Sequence, residues 1–142
     1  MLRGFMRSLG GMLVPFLLVV SPCAFAKAVA VNCGDTLTAD TLLEEDLTCT
    51  GDGLLLGANG ITLDCGGHTL RGNLAPENAG LRVMGRSGVT VKNCAIREFG
   101  NAVLVEDAPD LSVLDSAFEG NRNYVVGGRT APGLLLQGNL VL

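Results

Sequence analysis

Three stretches of this chain are versions of one unit: GVTVKNCAI (88–96), DLSVLDSAF (110–118) and PGLLLQGNLV (132–141). Their first apolar positions, Val89, Leu111 and Leu134, are separated by 22 and 23 residues. Val91, Val113 and Leu136 follow two residues later, and Ile96, Phe118 and Val141 seven residues later. The position four residues on is Asn93, Asp115 or Gly138. These three residue types accept a left-handed backbone most readily, so a shared offset predicts a shared bend. A second strand recurs in step, in AGLRVMG (79–85), NAVLVED (101–107) and NYVVGG (123–128), placing Leu81, Val103 and Val125 at intervals of 22. An earlier copy, DGLLLGANGITLDCGGHTL (52–70), carries two extra residues at its bend and is followed by a longer connection, RGNLAPENAG (71–80).

A period near 22 with short alternating strands predicts a parallel β-helix. One coil cannot close a core alone, but coils stacked at roughly 4.8 Å pair each strand with its equivalents above and below. Segment 88–96 should therefore pair with 60–70 on one side and 110–118 on the other. Thr62, Thr90 and Ser112 should form one outward ladder, with Asp64 beside Lys92 and Arg97 beside Glu119. The same alternation turns Leu55, Leu104, Val126 and Leu135 outward. A leucine-rich repeat has a similar period, but Arg86, Ala108 and Ala131 stand where its pattern requires leucine, and the intervening segments alternate with period two.

On these motifs, residues 50–142 resemble the right-handed parallel β-helix repeat proteins, the pectin-lyase-like solenoids. The resemblance implies an all-β, right-handed parallel β-helix of about four coils (53–142) behind an N-terminal cap (27–52). It implies chemistry less narrowly. Members include pectin lyases and hydrolases, alginate epimerases, surface adhesins and a periplasmic accessory protein for copper-enzyme maturation. The reading that follows is an exported binding or structural module for envelope or carbohydrate partners. The alternatives are the N-terminal part of a polysaccharide-active enzyme, with catalytic coils beyond residue 142, and a metal-delivery accessory protein.

Residues 1–26 read as a signal peptide: Arg3 and Arg7, an apolar run over 9–20, then Ala24-Phe25-Ala26 with cleavage expected after Ala26. The run is shorter than the roughly 20 residues a spanning helix needs, so no stable membrane span is expected. Pro22 before Cys23 argues against a lipoprotein cleavage box. The remaining 27–142 is secreted or periplasmic on this reading. Removing Arg3 and Arg7 leaves eight basic residues against fourteen acidic ones, a net −6. No Lys/Arg cluster offers a footprint for nucleic acid.

Cys33, Cys49, Cys65 and Cys94 remain, and four cysteines in an exported chain favour two disulfides. Sequence order leaves three connectivities open. Cys33 and Cys49 flank the polar stretch 36–49 and would staple the cap, while Cys65 and Cys94 would then link neighbouring coils. Neither CxxC nor CxxH spacing is read in the chain, and no metal or other cofactor is expected.

Candidates for chemistry do not converge. His68, at the enlarged bend, suits a turn side chain bonded to the neighbouring coil, and lacks the partners of a general base or metal site. The acids at 35, 40, 44, 45, 46 and 52 contain no DxDxDG loop and read as a solvated cap. A lyase of this fold would need calcium-binding Asp residues near an Arg or Lys base. Asp64, Lys92 and Arg97 are present, but Asp64 and Lys92 neutralise each other on adjacent rungs. Asp107, Asp110 and Asp115 crowd toward one turn. No catalytic residue is assigned. The sequence GNLVL (138–142) stops inside a repeat without a polar cap, which favours a fragment of a longer solenoid. The uncapped coil is expected to self-associate.

Overall fold

A computed structural model describes residues 30–142; the expected signal peptide lies outside the described residues. Fifteen short strands wind through five coils. Coil one contains β1 (Thr36–Leu37), β2 (Thr41–Leu42) and β3 (Leu47–Thr48); coil two contains β4 (Leu54–Leu56), β5 (Thr62–Asp64) and β6 (Thr69–Arg71). Coil three is β7 (Ala79–Met84), β8 (Thr90–Lys92) and β9 (Ala95–Arg97), and coil four is β10 (Asn101–Glu106), β11 (Ser112–Leu114) and β12 (Ala117–Glu119). Coil five is β13 (Tyr124–Arg129), β14 (Leu135–Gln137) and β15 (Leu140–Val141). Every third strand pairs in parallel with its predecessor. Sheet one is β1-β4-β7-β10-β13, sheet two β2-β5-β8-β11-β14, and sheet three β3-β6-β9-β12-β15. The fold is an all-β right-handed parallel solenoid with five coils rather than about four. The additional coil is β1–β3, inside the segment expected as a cap.

The inward ladders follow the repeat. Val91 lies between Leu63 and Val113, Ile96 between Leu70 and Phe118, and Leu81 beside Val103. These side chains, with Val89 and Leu111, are buried. Thr62, Thr90 and Ser112 stand in one outward column, as the period requires. The bends recur at the corner between sheets two and three, where Asn93, Asp115 and Gly138 have φ of 54°, 46° and 68°.

Coil five departs from the sequence expectation in two ways. Val103 faces Val126, not Val125, so Val126 belongs to the inward ladder and is not an outward residue. The corner 120–123 is one residue longer than the corner 98–100, which delays β13 by one position. Both valines pack partly buried against the core. Leu134, Leu136 and Val141 keep the expected columns, with Leu136 beside Val113 and Val141 beside Phe118, but are 37, 51 and 59% exposed. No described coil covers their upper side.

Two disulfides join Cys33 to Cys49 and Cys65 to Cys94. The second is buried and ties coil two to coil three at the bend, with a Cα separation of 4.7 Å, one rung of the stack. Its column continues upward through polar side chains. Ser116 Oγ accepts the Cys94 N–H at 3.1 Å, and Asn139 Oδ1 accepts the Ser116 N–H at 3.0 Å. An otherwise unpaired corner N–H is satisfied on each rung.

Candidate functional site

Two of the grooves among the described residues reach about 660 Å³, and the chemistry of each is set by which polar groups the fold has already used. The first follows the corner between sheets two and three. Asp64, Asn93 and Asp115 line it over a floor of Gly66, Ala95 and Ala117, with a volume of about 660 Å³. Asp64 is committed there: Oδ1 accepts the Gly66 N–H at 2.8 Å and Asn93 Nδ2 at 3.1 Å, while Lys92 Nζ lies 3.8 Å from Oδ2. Asp115 stands at this corner, whereas Asp107 and Asp110 occupy the preceding corner on the far side of β11. The three acids expected to crowd one turn are thus divided between two corners. Each has a left-handed φ, so their common role is to turn the chain.

Other charged side chains pair across rungs. Arg71 Nε and Nη2 reach the two oxygens of Glu98 at 2.6 and 3.0 Å, and Arg97 Nη2 lies 3.1 Å from Glu119. The Glu98 carboxylate holds the Arg71 guanidinium above its ordinary pKa. On the outer face of sheet one, Arg82 donates to both oxygens of Asp52, at 2.7 and 3.0 Å, and to the Glu77 carbonyl at 2.9 Å. Partial burial opposes ionisation of Asp52, but the Arg82 bonds and the Ala79 N–H outweigh it and lower the carboxyl pKa.

His68 makes the neighbouring-coil contact expected of a turn residue, with Nδ1 3.2 Å from Asp46 Oδ1. The same oxygen accepts the Thr69 N–H at 2.8 Å. That backbone bond, then the histidine, lowers the Asp46 pKa. His68 follows Cys65 by three residues, a CxxH zinc-ligand spacing that the sequence reading wrongly took to be absent, but the Cys65 sulfur is bonded to Cys94. Among the described residues no group of three or more His, Cys, Asp and Glu is placed to hold a metal ion.

The second groove runs along β13 at coil five, where Leu104, Asn123, Tyr124, Val126, Gly127 and Arg129 line about 660 Å³. Sequence reasoning did not single out Tyr124. It sits in the column of Ala79 and Asn101, so it alone brings a ring to that column. It is 63% exposed, whereas Phe99 and Phe118 are among the largest fully buried side chains. Among the described residues Tyr124 is the exposed aromatic. Gly127, three residues on, makes room for it: a Cβ there would come within 2.8 Å of Tyr124 Cβ and Cγ. Gly128, with φ of 140°, lies so close to the Val105 carbonyl that a side chain would collide with it. A lone aromatic followed by Gly-Gly was the available signal, but the one-residue shift of β13 hid which column it entered.

The outward apolar residues expected near this groove are less open than alternation suggested. Leu55 and Leu104 are half-buried beside the Arg82 stem, and Leu135 is exposed on sheet two. No helix among the described residues is long and apolar enough to cross a membrane. Comparison with protein-family models, curated proteins and solved structures finds no match.

Proposed function

We propose that the chain is an exported β-solenoid module that binds an envelope polysaccharide through the groove along β13 at coil five. The observation that carries this reading is Tyr124, an exposed ring in a groove that Asn123 and Arg129 also line. A sugar ring has an apolar C–H face that packs on an aromatic face, and edge hydroxyls that need donors and acceptors. Arg129 would favour an acidic polysaccharide through bidentate contact with a carboxylate. Export is supported by the leader pattern at 1–26 and by two disulfides, which persist in oxidising compartments. The paired charges of Asp52–Arg82, Asp64–Lys92 and Arg71–Glu98 hold coils to one another and suit a scaffold.

A glycan array probed with residues 27–142, followed by calorimetry on any ligand found, tests the proposal. Tyr124→Ala should weaken binding about two- to tenfold, the loss expected for one stacked ring, without moving the thermal midpoint. Binding indifferent to Tyr124, or no binding to acidic or neutral glycans, overturns it.

A further inference from the structure

The connection 72–78 is the longest corner between sheets three and one, and its bonds run along the solenoid axis rather than around one coil. At its root, Asn73 Nδ2 and Asn78 Nδ2 both donate to the Thr50 carbonyl at 3.2 Å, in the corner between coils one and two. In its middle, the Gly72 and Leu74 N–H groups donate to Arg97 and Glu98 carbonyls at 3.0 and 2.7 Å. Leu74 takes a left-handed φ of 64° to do so. At its tip, the Pro76 carbonyl accepts Asn123 Nδ2 at 3.0 Å and Asn101 Nδ2 at 3.4 Å, while the Leu74 carbonyl meets Arg122 Nη1 at 3.5 Å. The intervening corner is kept bare for it. A side chain at Gly100 would strike the Ala75 and Pro76 carbonyls.

A solenoid repeat normally contacts only its immediate neighbours, so its stability behaves as a chain of nearest-neighbour terms and its open end frays first. Segment 72–78 violates that rule. It emerges between coils two and three, bonds the neighbouring corner at the Glu98 carbonyl, and also reaches past it to the corner that opens coil five, across sequence separations of 47 and 48 residues. We propose that 72–78 is a clasp that couples the order of coil five to the corner of coil one, independently of the strand ladders. The Arg122 and Asn123 N–H groups already meet the Phe99 and Gly100 carbonyls at 2.9 and 2.7 Å, and the clasp adds a side-chain bond at Asn123, next to the start of β13.

Amide hydrogen exchange on the oxidised chain tests this at a distance. In Asn73→Ala/Asn78→Ala both substitutions lie at the root, away from β13. The clasp predicts that β13 amides exchange about fivefold faster, the effect of losing roughly one net hydrogen bond, with β4–β6 unchanged. Arg122→Ala/Asn123→Ala at the tip should do the same, and combining root and tip should add little, because both break one coupling. Asn139→Ala loosens coil five at the opposite corner, where its side chain bonds the Val113 carbonyl and the Ser116 N–H. Its effect should add to that of the root variant. The proposal is overturned if the root variant loosens only 72–79 and leaves β13 protected, or if exchange rises equally in every coil.

Discussion

Asn93, Asp115 and Gly138 share one column, and each meets the left-handed backbone differently. Glycine adopts that conformation without strain, whereas Asn and Asp tolerate it and β-branched residues resist it. Asp115→Gly should therefore change stability by less than about 0.5 kcal/mol, while Asp115→Val should cost about 2 kcal/mol. Denaturant titration checks both. Gly138→Ala carries two penalties, its φ and a collision with Asp115 Oδ1, and should loosen coil five more than Asp115→Ala does. A further prediction concerns acid. Asp46 and Asp52 have folded pKa values below the ordinary 3.8. Their contribution to stability is complete above the unfolded value and is lost as pH falls through the lower folded value. Stability should therefore decline on acidification below about pH 4. Asp52→Asn, which removes the Arg82 partner charge, should lower stability at neutral pH and flatten the acid limb. Thermal midpoints measured across that range would show it; an unchanged acid limb would remove Asp52 from the account.

At the scale of elements, the buried Cys65–Cys94 bridge joins the bends that follow β5 and β8, two strands that already pair, so it adds a covalent bond to a formed rung. Closing a loop of 29 residues constrains the unfolded chain by about 3–4 kcal/mol. Cys65→Ala/Cys94→Ala should lose about that much, and removing Cys33–Cys49, with separation 16, somewhat less. Calorimetry on the two double variants ranks them; equal or reversed losses contradict the ordering. The middle rungs were legible in the sequence because their strands are uniform. Val89, Val91, Ile96 and their equivalents alternate, the bend residue sits at one offset, and the charge pairs Asp64–Lys92 and Arg97–Glu119 fall on adjacent rungs. What was not legible lies at corners. The spacing of 23 between Leu111 and Leu134 shows that coil five has gained one residue, but not where. An insertion before β13 and one after it give the same total, and they exchange the places of Val125 and Val126. Phe99 escaped assignment for a related reason. It lies between β9 and β10, where alternation lapses, and fills space left by Gly72 and Gly80. Coil one read as a cap because its strands are two residues long and its exposed positions are polar. The same limits hid the candidate site, since Tyr124 opens the shifted strand.

At the scale of the molecule, the first and last described coils differ. Coil one buries its inward leucines, Leu37, Leu43 and Leu47, and Val31 packs into the same core. Coil five leaves Leu134, Leu136, Leu140, Val141 and Leu142 exposed, and β13, β14 and β15 are each the outermost strand of their sheet. A polypeptide stopping at Leu142 therefore presents three strand edges around one apolar patch. Free edges pair with other strands, and a surface shaped as a coil's cross-section is best matched by another coil. Two copies meeting end to end through a two-fold axis would run antiparallel at the junction, which strand pairing allows. Isolated residues 27–142 should then sediment as a self-associated species at about 10 μM, within the range of weak, small interfaces. Leu136→Lys/Val141→Lys places charge in the patch, beside Val113 and Phe118 of coil four, and should return the chain to a monomer, with circular dichroism checking that the coils below keep their fold. A clean monomer before substitution would show that the edges of coil five are satisfied without a second copy.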